Sequence, residues 1–234
     1  RSIGTGKKDV VEGKSVLPRV GLVLEAYPAG GIAGAQLLNA DDSLQMSTGV
    51  FPSLWSELPV INHFLRSVRR GFSVNTPEGD SMVRSVDWVS GACLMIKREV
   101  VETIGLLDEN FWLYTEETDW CYRARDVGWD VVLVPQSRVY HLARAASRQR
   151  FVATMLHFYQ SRVRFVLKHY GTLHALAMRY ILNVKAFIWW KHPDRSPLRL
   201  AYFDLSDQQI KDAYQTLITS LKLPLSDYLK QTWR

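Results

Sequence analysis

The sequence predicts an α/β layered domain followed by a helical region. Three observations carry that expectation. Short apolar runs of strand character alternate with short helical segments between Val86 and Pro135. Glycines stand where those helices should end, at Gly105 and Gly128. From Phe151 onward the pattern becomes helical, with apolar residues returning every three or four positions. The expected division is a layered domain over 1–150 and a helical region over 151–234.

Taken in chain order, the first expected element is a helix over Ser15 to Tyr27. Leu54 to Ser85 has the weakest pattern, broken by Pro59, Gly71, Pro77 and Gly79, and reads as a loop: acceptor-facing in an enzyme, or a surface insertion without function. VDWVSGACLMI, Val86 to Ile96, reads as a buried strand interrupted by Ser90, Gly91 and Ala92. A short helix from Lys97 to Ile104 follows, closed by Gly105. Phe111, Trp112 and Tyr114 then lead into Glu116, Glu117 and Asp119, at the start of a helix for which Thr115 is the expected N-cap. WDVVLVP reads as another buried strand stopped by Pro135, with His141 six residues beyond it.

The helical region divides by its punctuation. Phe151 to Tyr170 places Val152, Met155, Leu156, Tyr159, Val163, Val166 and Leu167 on one face, and Gly171 ends it. Thr172 to Trp190 is a second apolar helix, interrupted by Arg179 and Lys185, and Pro193 follows. A last helix begins near Ser206, where Ser206 and Gln209 have capping-box spacing, and runs to about Leu221, with Pro224 just beyond.

Composition and charge narrow the classes. At 234 residues and 47% hydrophobic, the chain can bury one substantial core. Cys93 and Cys121 lack metal-type spacing and read as buried free thiols of a reducing compartment. Between Arg138 and Leu200 there are 12 Lys or Arg against the single acid Asp194, a local +11 in a chain of +6, so the remainder carries −5. Those cations ride on amphipathic helices. Two readings stand: a helical pair lying in a membrane interface with its basic residues toward anionic lipid, or a packed pair whose charges are solvated. The charges interrupt the second helix too often for a membrane span.

The acidic cluster is the sharpest chemical feature. Three carboxylates in four residues at a helix start can complement the helix dipole, and Asp119 with Arg123 has the spacing of a helical ion pair. They can equally hold a general base or metal ligands.

The surrounding motifs decide which chemistry to expect. The succession WVSGACLMI, then GLLDENFWLYTEETDWCYRARDVGW, then VYH, together with AGGIAGAQLLNADDSLQMSTGVFPS upstream, resembles the acceptor half of family 2 glycosyltransferases, especially their rhamnosyltransferase-like branch. The resemblance spans roughly Val16 to Ser147. It implies the C-terminal part of a GT-A (Rossmann-like) mixed-sheet domain. The implied reaction moves a sugar, rhamnose among the candidates, from a nucleotide-diphosphate donor to a glycan or lipid-linked acceptor with inversion. Cell-surface polysaccharide synthesis is the implied setting, in the cytoplasm at the inner face of the plasma membrane.

The resemblance also implies roles. The general base falls on Glu117, with Glu116 and Asp119 beside it; Glu stands where the commonest form has Asp, so the choice between Glu116 and Glu117 stays open. His141 is implied as a ligand to Mg2+ or Mn2+, against a plain strand-end histidine. Arg144, Ser147 and Arg148 are candidates for the donor diphosphate, or a solvated basic face. Trp88, Gly91, Ala92, Trp112 and Tyr114 are candidates for the acceptor, although such aromatics are more often core. Asp9, in KKDVV, is aligned with the family's acidic metal segment. Because only a polar dozen residues precede the first helix and the chain starts at Arg1, the expectation is a chain without its nucleotide-binding half, unable to transfer sugar alone.

Other classes fit less well. EGKS (Glu12 to Ser15) and GTGKK (Gly4 to Lys8) lack the spacing and context of phosphate-binding loops. A basic helical module that binds membrane or nucleic acid without catalysis is the alternative, but no nucleic-acid motif accompanies the charge, and nucleic acid is not expected as a partner. Adjacent acids are not the separated carboxylate pair of a glycoside hydrolase.

Overall fold

The computed structural model describes residues 16–58, 71–76, 79–142, 150–201 and 205–231. Two compact units divide them. One comprises Arg1–Phe51, Pro59–Glu109 and Glu116–Leu142; the other comprises Pro52–Leu58, Asn110–Thr115 and Ala143–Arg234.

The first unit is an α/β layer of GT-A type. Helix α1 (Val16–Ala26) precedes strand β1 (Gly30–Leu38), followed by the short β2 (Thr48–Gly49). Strands β3 (Gly71–Thr76) and β4 (Gly79–Ser85) form an antiparallel pair. Next come β5 (Trp88–Val89), β6 (Leu94–Ile96), α2 (Arg98–Ile104), α3 (Glu116–Asp126) and β7 (Asp130–Tyr140). The main sheet has the order β3-β4-β7-β1-β6, with β1 and β7 parallel and the other neighbours antiparallel; β2 and β5 form a separate pair.

Strand alternation builds a core on each side of this sheet. Ala33, Ala35, Val132 and Val134 face α1 through Val20, Val23 and Leu24. Ile32, Val131 and Leu133 face the other way, onto Val89, Val100, Cys121 and Ala124. The glycines of β1 permit this close packing: a Cβ at Gly34 would lie 2.5 Å from the Val89 Cβ. Both cysteines are free thiols, with Cys121 fully buried and Cys93 half-buried.

Three expectations change here. The weakly patterned stretch before Val86 contains the β3–β4 hairpin, in which Thr76 pairs with Gly79 at φ +105°. Pro135 does not stop its strand: β7 runs on to Tyr140. The ladder to β1 jumps from Ala35–Val134 to Gln36–Arg138, so Pro135 sits in a bulge where its missing N–H is not needed. The strand expected over Val86 to Ile96 is two short strands separated by the turn at 90–93.

The second unit is helical. Helix α4 (Phe151–Tyr170) and α5 (Thr172–Lys191) meet at Gly171, φ +86°. The short α6 (Pro197–Ala201), then α7 (Asp207–Leu221) and α8 (Leu225–Lys230), complete it. Ser206 and Gln209 form the expected capping box in both directions. Helix α8 begins immediately after Pro224, which supplies its N-cap.

Several helix cations point inward rather than to solvent or lipid. Buried Glu57 accepts from Arg162 and, at 2.6 Å, from the Lys185 ammonium, which also donates to the Glu57 carbonyl at 2.9 Å. Burial alone would raise the Glu57 carboxyl, but Arg162 and Lys185 together hold it below its ordinary value. Buried Arg179 donates to the carbonyls of Leu221 and Leu223, capping the end of α7, with the Tyr228 ring 5.3 Å away.

Candidate active site

The acidic cluster opens α3, and the backbone before it is unusual. Tyr114 and Thr115 take φ of +62° and +74°, a left-handed conformation that costs a β-branched residue about 1–3 kcal/mol. Thr115 therefore lacks the extended backbone of the N-cap role expected for it.

The three acids then part company. Asp119 is fully buried and accepts from Arg123 Nε at 2.8 Å, and Arg123 also donates to the carbonyls of Ile104 and Leu106. That carboxylate is committed to joining α3 to the end of α2. Glu116 and Glu117 each keep a buried carboxylate oxygen, Oε2, without a hydrogen-bond partner among the described residues. Burial first, and then the neighbouring Glu116, push the Glu117 carboxyl from 4.5 up to about 7, against the lowering effect of backbone N–H groups of Glu117, Gly91 and Thr118. Burial also raises the Glu116 carboxyl.

Gly91 and Ala92 occupy the exposed turn between β5 and β6. A Cβ built on Gly91 would lie 3.5 Å from the Glu117 Cβ, so this turn stands directly against the acid. Trp88 packs against the core: its indole N–H donates to the Val50 carbonyl at 3.1 Å, and its ring covers Gly49. In the second unit Trp112 is 80% exposed, whereas Tyr114 meets Phe158 edge-on at 6.0 Å.

His141 lies at the end of β7, with its backbone N–H on the Leu38 carbonyl. Its Nδ1 is 2.7 Å from Gln45 Oε1, and the Gln45 amide nitrogen donates in turn to Asn39 Oδ1 at 3.0 Å. An amide oxygen only accepts, so Nδ1 carries the proton and Nε2 the lone pair. In the neutral ring this leaves Nε2 able to coordinate, with the other ring N–H held as in many metal-binding histidines. Yet among the described residues no three His, Cys, Asp or Glu side chains gather to hold an ion. These residues offer a divalent cation one ligand, not a centre. Asp9, Arg144, Ser147 and Arg148 lie outside the described residues.

Gln45 was not singled out from the sequence. It sits 96 residues from the histidine it orients, and no local pattern announces such a pairing.

Comparison with known proteins gives the family. A model of glycosyltransferase-like family 2 matches residues 19–156. The N-acetylglucosaminyl-diphospho-decaprenol L-rhamnosyltransferase of Mycobacterium tuberculosis is 25% identical over 182 residues, covering 74% of this chain and 52% of that protein in both strains compared. The low-salt glycan biosynthesis hexosyltransferase Agl10 of Haloferax volcanii is 39% identical over 75 residues, 24% of this chain and 24% of that protein. The chain thus spans about half the length of the mycobacterial relatives it matches.

Proposed function

This chain belongs to glycosyltransferase-like family 2, and from that premise we propose that Glu117 is the general base of an inverting sugar transfer from a nucleotide-diphosphate donor to a glycan or lipid-linked acceptor. The observation that carries the assignment is the contrast within one helical turn. Asp119 is consumed by Arg123, while Glu117 keeps a partnerless carboxylate oxygen and a carboxyl near pH 7.

The chemistry follows from that state. A sugar hydroxyl is a weak nucleophile at neutral pH. Glu117, ionised as pH passes about 7, accepts the hydroxyl proton as the acceptor oxygen bonds to the anomeric carbon. The bond from that carbon to the donor diphosphate breaks on the opposite face, and its electron pair leaves on the phosphate oxygen. The raised carboxyl makes Glu117 a stronger base than an ordinary glutamate, at the cost of being half protonated near neutrality. Glu116, adjacent and of the same charge, keeps that affinity for the proton high.

The described part of the site offers Mg2+ or Mn2+ only His141. Gly91 and Ala92, bare of bulky side chains beside Glu117, leave room for an acceptor hydroxyl. The name of the mycobacterial relative makes an L-rhamnosyl donor with a polyprenyl-diphosphate-linked acceptor the first pair to test.

The test uses the protein as its gene encodes it. Glu117→Gln lowers kcat by about a hundredfold to ten-thousandfold with nucleotide-sugar binding retained, whereas Glu116→Gln has a smaller effect. Full transfer by Glu117→Gln refutes the assignment.

A further inference from the structure

Helix α5 is apolar on two opposite faces, and only one of them is covered. Ala175, Met178, Leu182 and Ala186 are buried, and at about 100° per residue they fall on one side of the helix. Leu173, Leu176, Tyr180, Val184, Phe187 and Ile188 fall within an arc of roughly 120° on the other side, and they are 41% to 81% exposed. From Leu173 to Ile188 this stripe runs about 22 Å. Single exposed apolar residues are ordinary on a protein surface, but six aligned along one helix are a contact surface.

The charges around the stripe say what it meets. Neither α4 nor α5 contains an acidic residue. Arg179 and Lys185 are turned inward, onto carbonyls and Glu57. Lys191, exposed, falls in line with Leu173 and Tyr180, and its ammonium stands 5.1 Å from the Phe187 ring. A second copy of this surface would bring no acid to pair with such cations; anionic headgroups would. Among the described residues no helix is long and apolar enough to cross a membrane, so the encounter is with the side of the helix.

We propose that this face of α5 lies in the interfacial layer of an anionic lipid bilayer, its six apolar side chains at the acyl boundary and Lys191 at the level of the phosphates. The inward cations contribute nothing to this contact, which rests on the apolar stripe and the absence of acids from α4 and α5. The proposal goes beyond sugar transfer and stands without it.

Flotation of the 234-residue chain with vesicles of phosphatidylcholine plus phosphatidylglycerol tests it, with phosphatidylcholine vesicles alone as the comparison. The chain floats with the mixed vesicles and more weakly with the neutral ones. Replacing Tyr180, Phe187 and Ile188 together by Ser weakens association roughly tenfold or more, with circular dichroism and the thermal midpoint unchanged. Lys191→Glu weakens it on the mixed vesicles alone. Should the triple variant lose its native spectrum, Tyr180→Ser by itself carries the test, with a loss of about threefold. Absence of flotation, equal binding to both vesicles, or binding indifferent to these substitutions overturns the proposal. So does a dimer in sedimentation that the stripe substitutions dissolve.

Discussion

Asp119 accepts from Arg123 at 2.8 Å, one turn further along the same helix, and this pairing separates it from Glu117, two residues away, whose Oε2 has no partner among the described residues. Arg123 reaches on to the carbonyls of Ile104 and Leu106. Asp119→Asn weakens a buried, charge-assisted anchor rather than the chemistry. Urea unfolding should show a loss of about 1.5–3 kcal/mol, whereas kcat at a temperature where the variant stays folded should change far less than in Glu117→Gln. An Asp119→Asn variant that keeps its stability but loses transfer would reassign the base.

Glu117 predicts the opposite stability effect. Its carboxyl lies near 7 in the folded chain against 4.5 ordinarily. Between those values the folded chain holds a proton that the unfolded chain has released, so stability falls as pH rises through this window. Above it, the wild type bears the full cost of a buried carboxylate. Glu117→Gln removes that cost: the variant should be more stable than wild type by about 1–3 kcal/mol at about pH 8 and nearly equal to it at about pH 4. Denaturant titrations at both pH values check this, independently of any activity assay. A variant less stable than wild type at the higher pH would mean that the carboxylate is well solvated.

Local chemistry made much of this fold legible. Gly105 and Gly171 end their helices because they adopt positive φ there, and Ser206 with Gln209 completes a capping box from side chains three residues apart. The alternation of Ile32, Ala33 and Ala35, and of Val131 through Val134, follows from the pleat of buried strands. What stayed hidden depended on distance. The bulge at Pro135 exists only because β1 runs beside it. The cations Arg162, Arg179 and Lys185 look solvent-facing or lipid-facing in sequence because their acceptors lie 42 to 128 residues away. Within the candidate site, the spacing of Glu116, Glu117 and Asp119 was visible, but their division of labour was not. Which acid is paired and which is stranded depends on where α2 ends and where the Gly91 turn comes to rest.

The Glu57 triad yields a third prediction. Its buried carboxylate lies between the partly exposed Arg162 and Lys185 in the helical unit. Removing the anion leaves two partly exposed cations near each other without compensation, so Glu57→Gln should cost about 1–3 kcal/mol. The pH dependence follows the depressed carboxyl. This stabilisation is present above the ordinary value of 4.5 and is lost as pH falls through the lower folded value. Acid titration of helical circular dichroism should therefore show wild type and variant converging at low pH. Parallel curves throughout would mean that Glu57 contributes nothing through its charge.

Gly34 offers a steric test of the layer beneath the site. It lies in β1 between Ala33 and Ala35, and a Cβ there would come within 2.5 Å of Val89 Cβ and 2.9 Å of Val89 Cγ1. The Val89 Cβ is fixed to the backbone, and Val89 is fully buried in β5 and paired to Thr48, so no rotamer change relieves the clash. Gly34→Ala must push β5 away from the sheet, at a cost of about 1–3 kcal/mol. The turn at 90–93 follows β5 directly and carries the Gly91 N–H that meets Glu117. Displacing β5 should therefore also disturb the carboxyl, moving the pH midpoint of transfer in the protein as its gene encodes it. The compensating pair Gly34→Ala with Val89→Gly, which removes the Val89 Cβ as well as its methyls, should recover the midpoint and part of the stability. If the double variant is no better than the single one, the contact with Val89 is not what keeps position 34 bare.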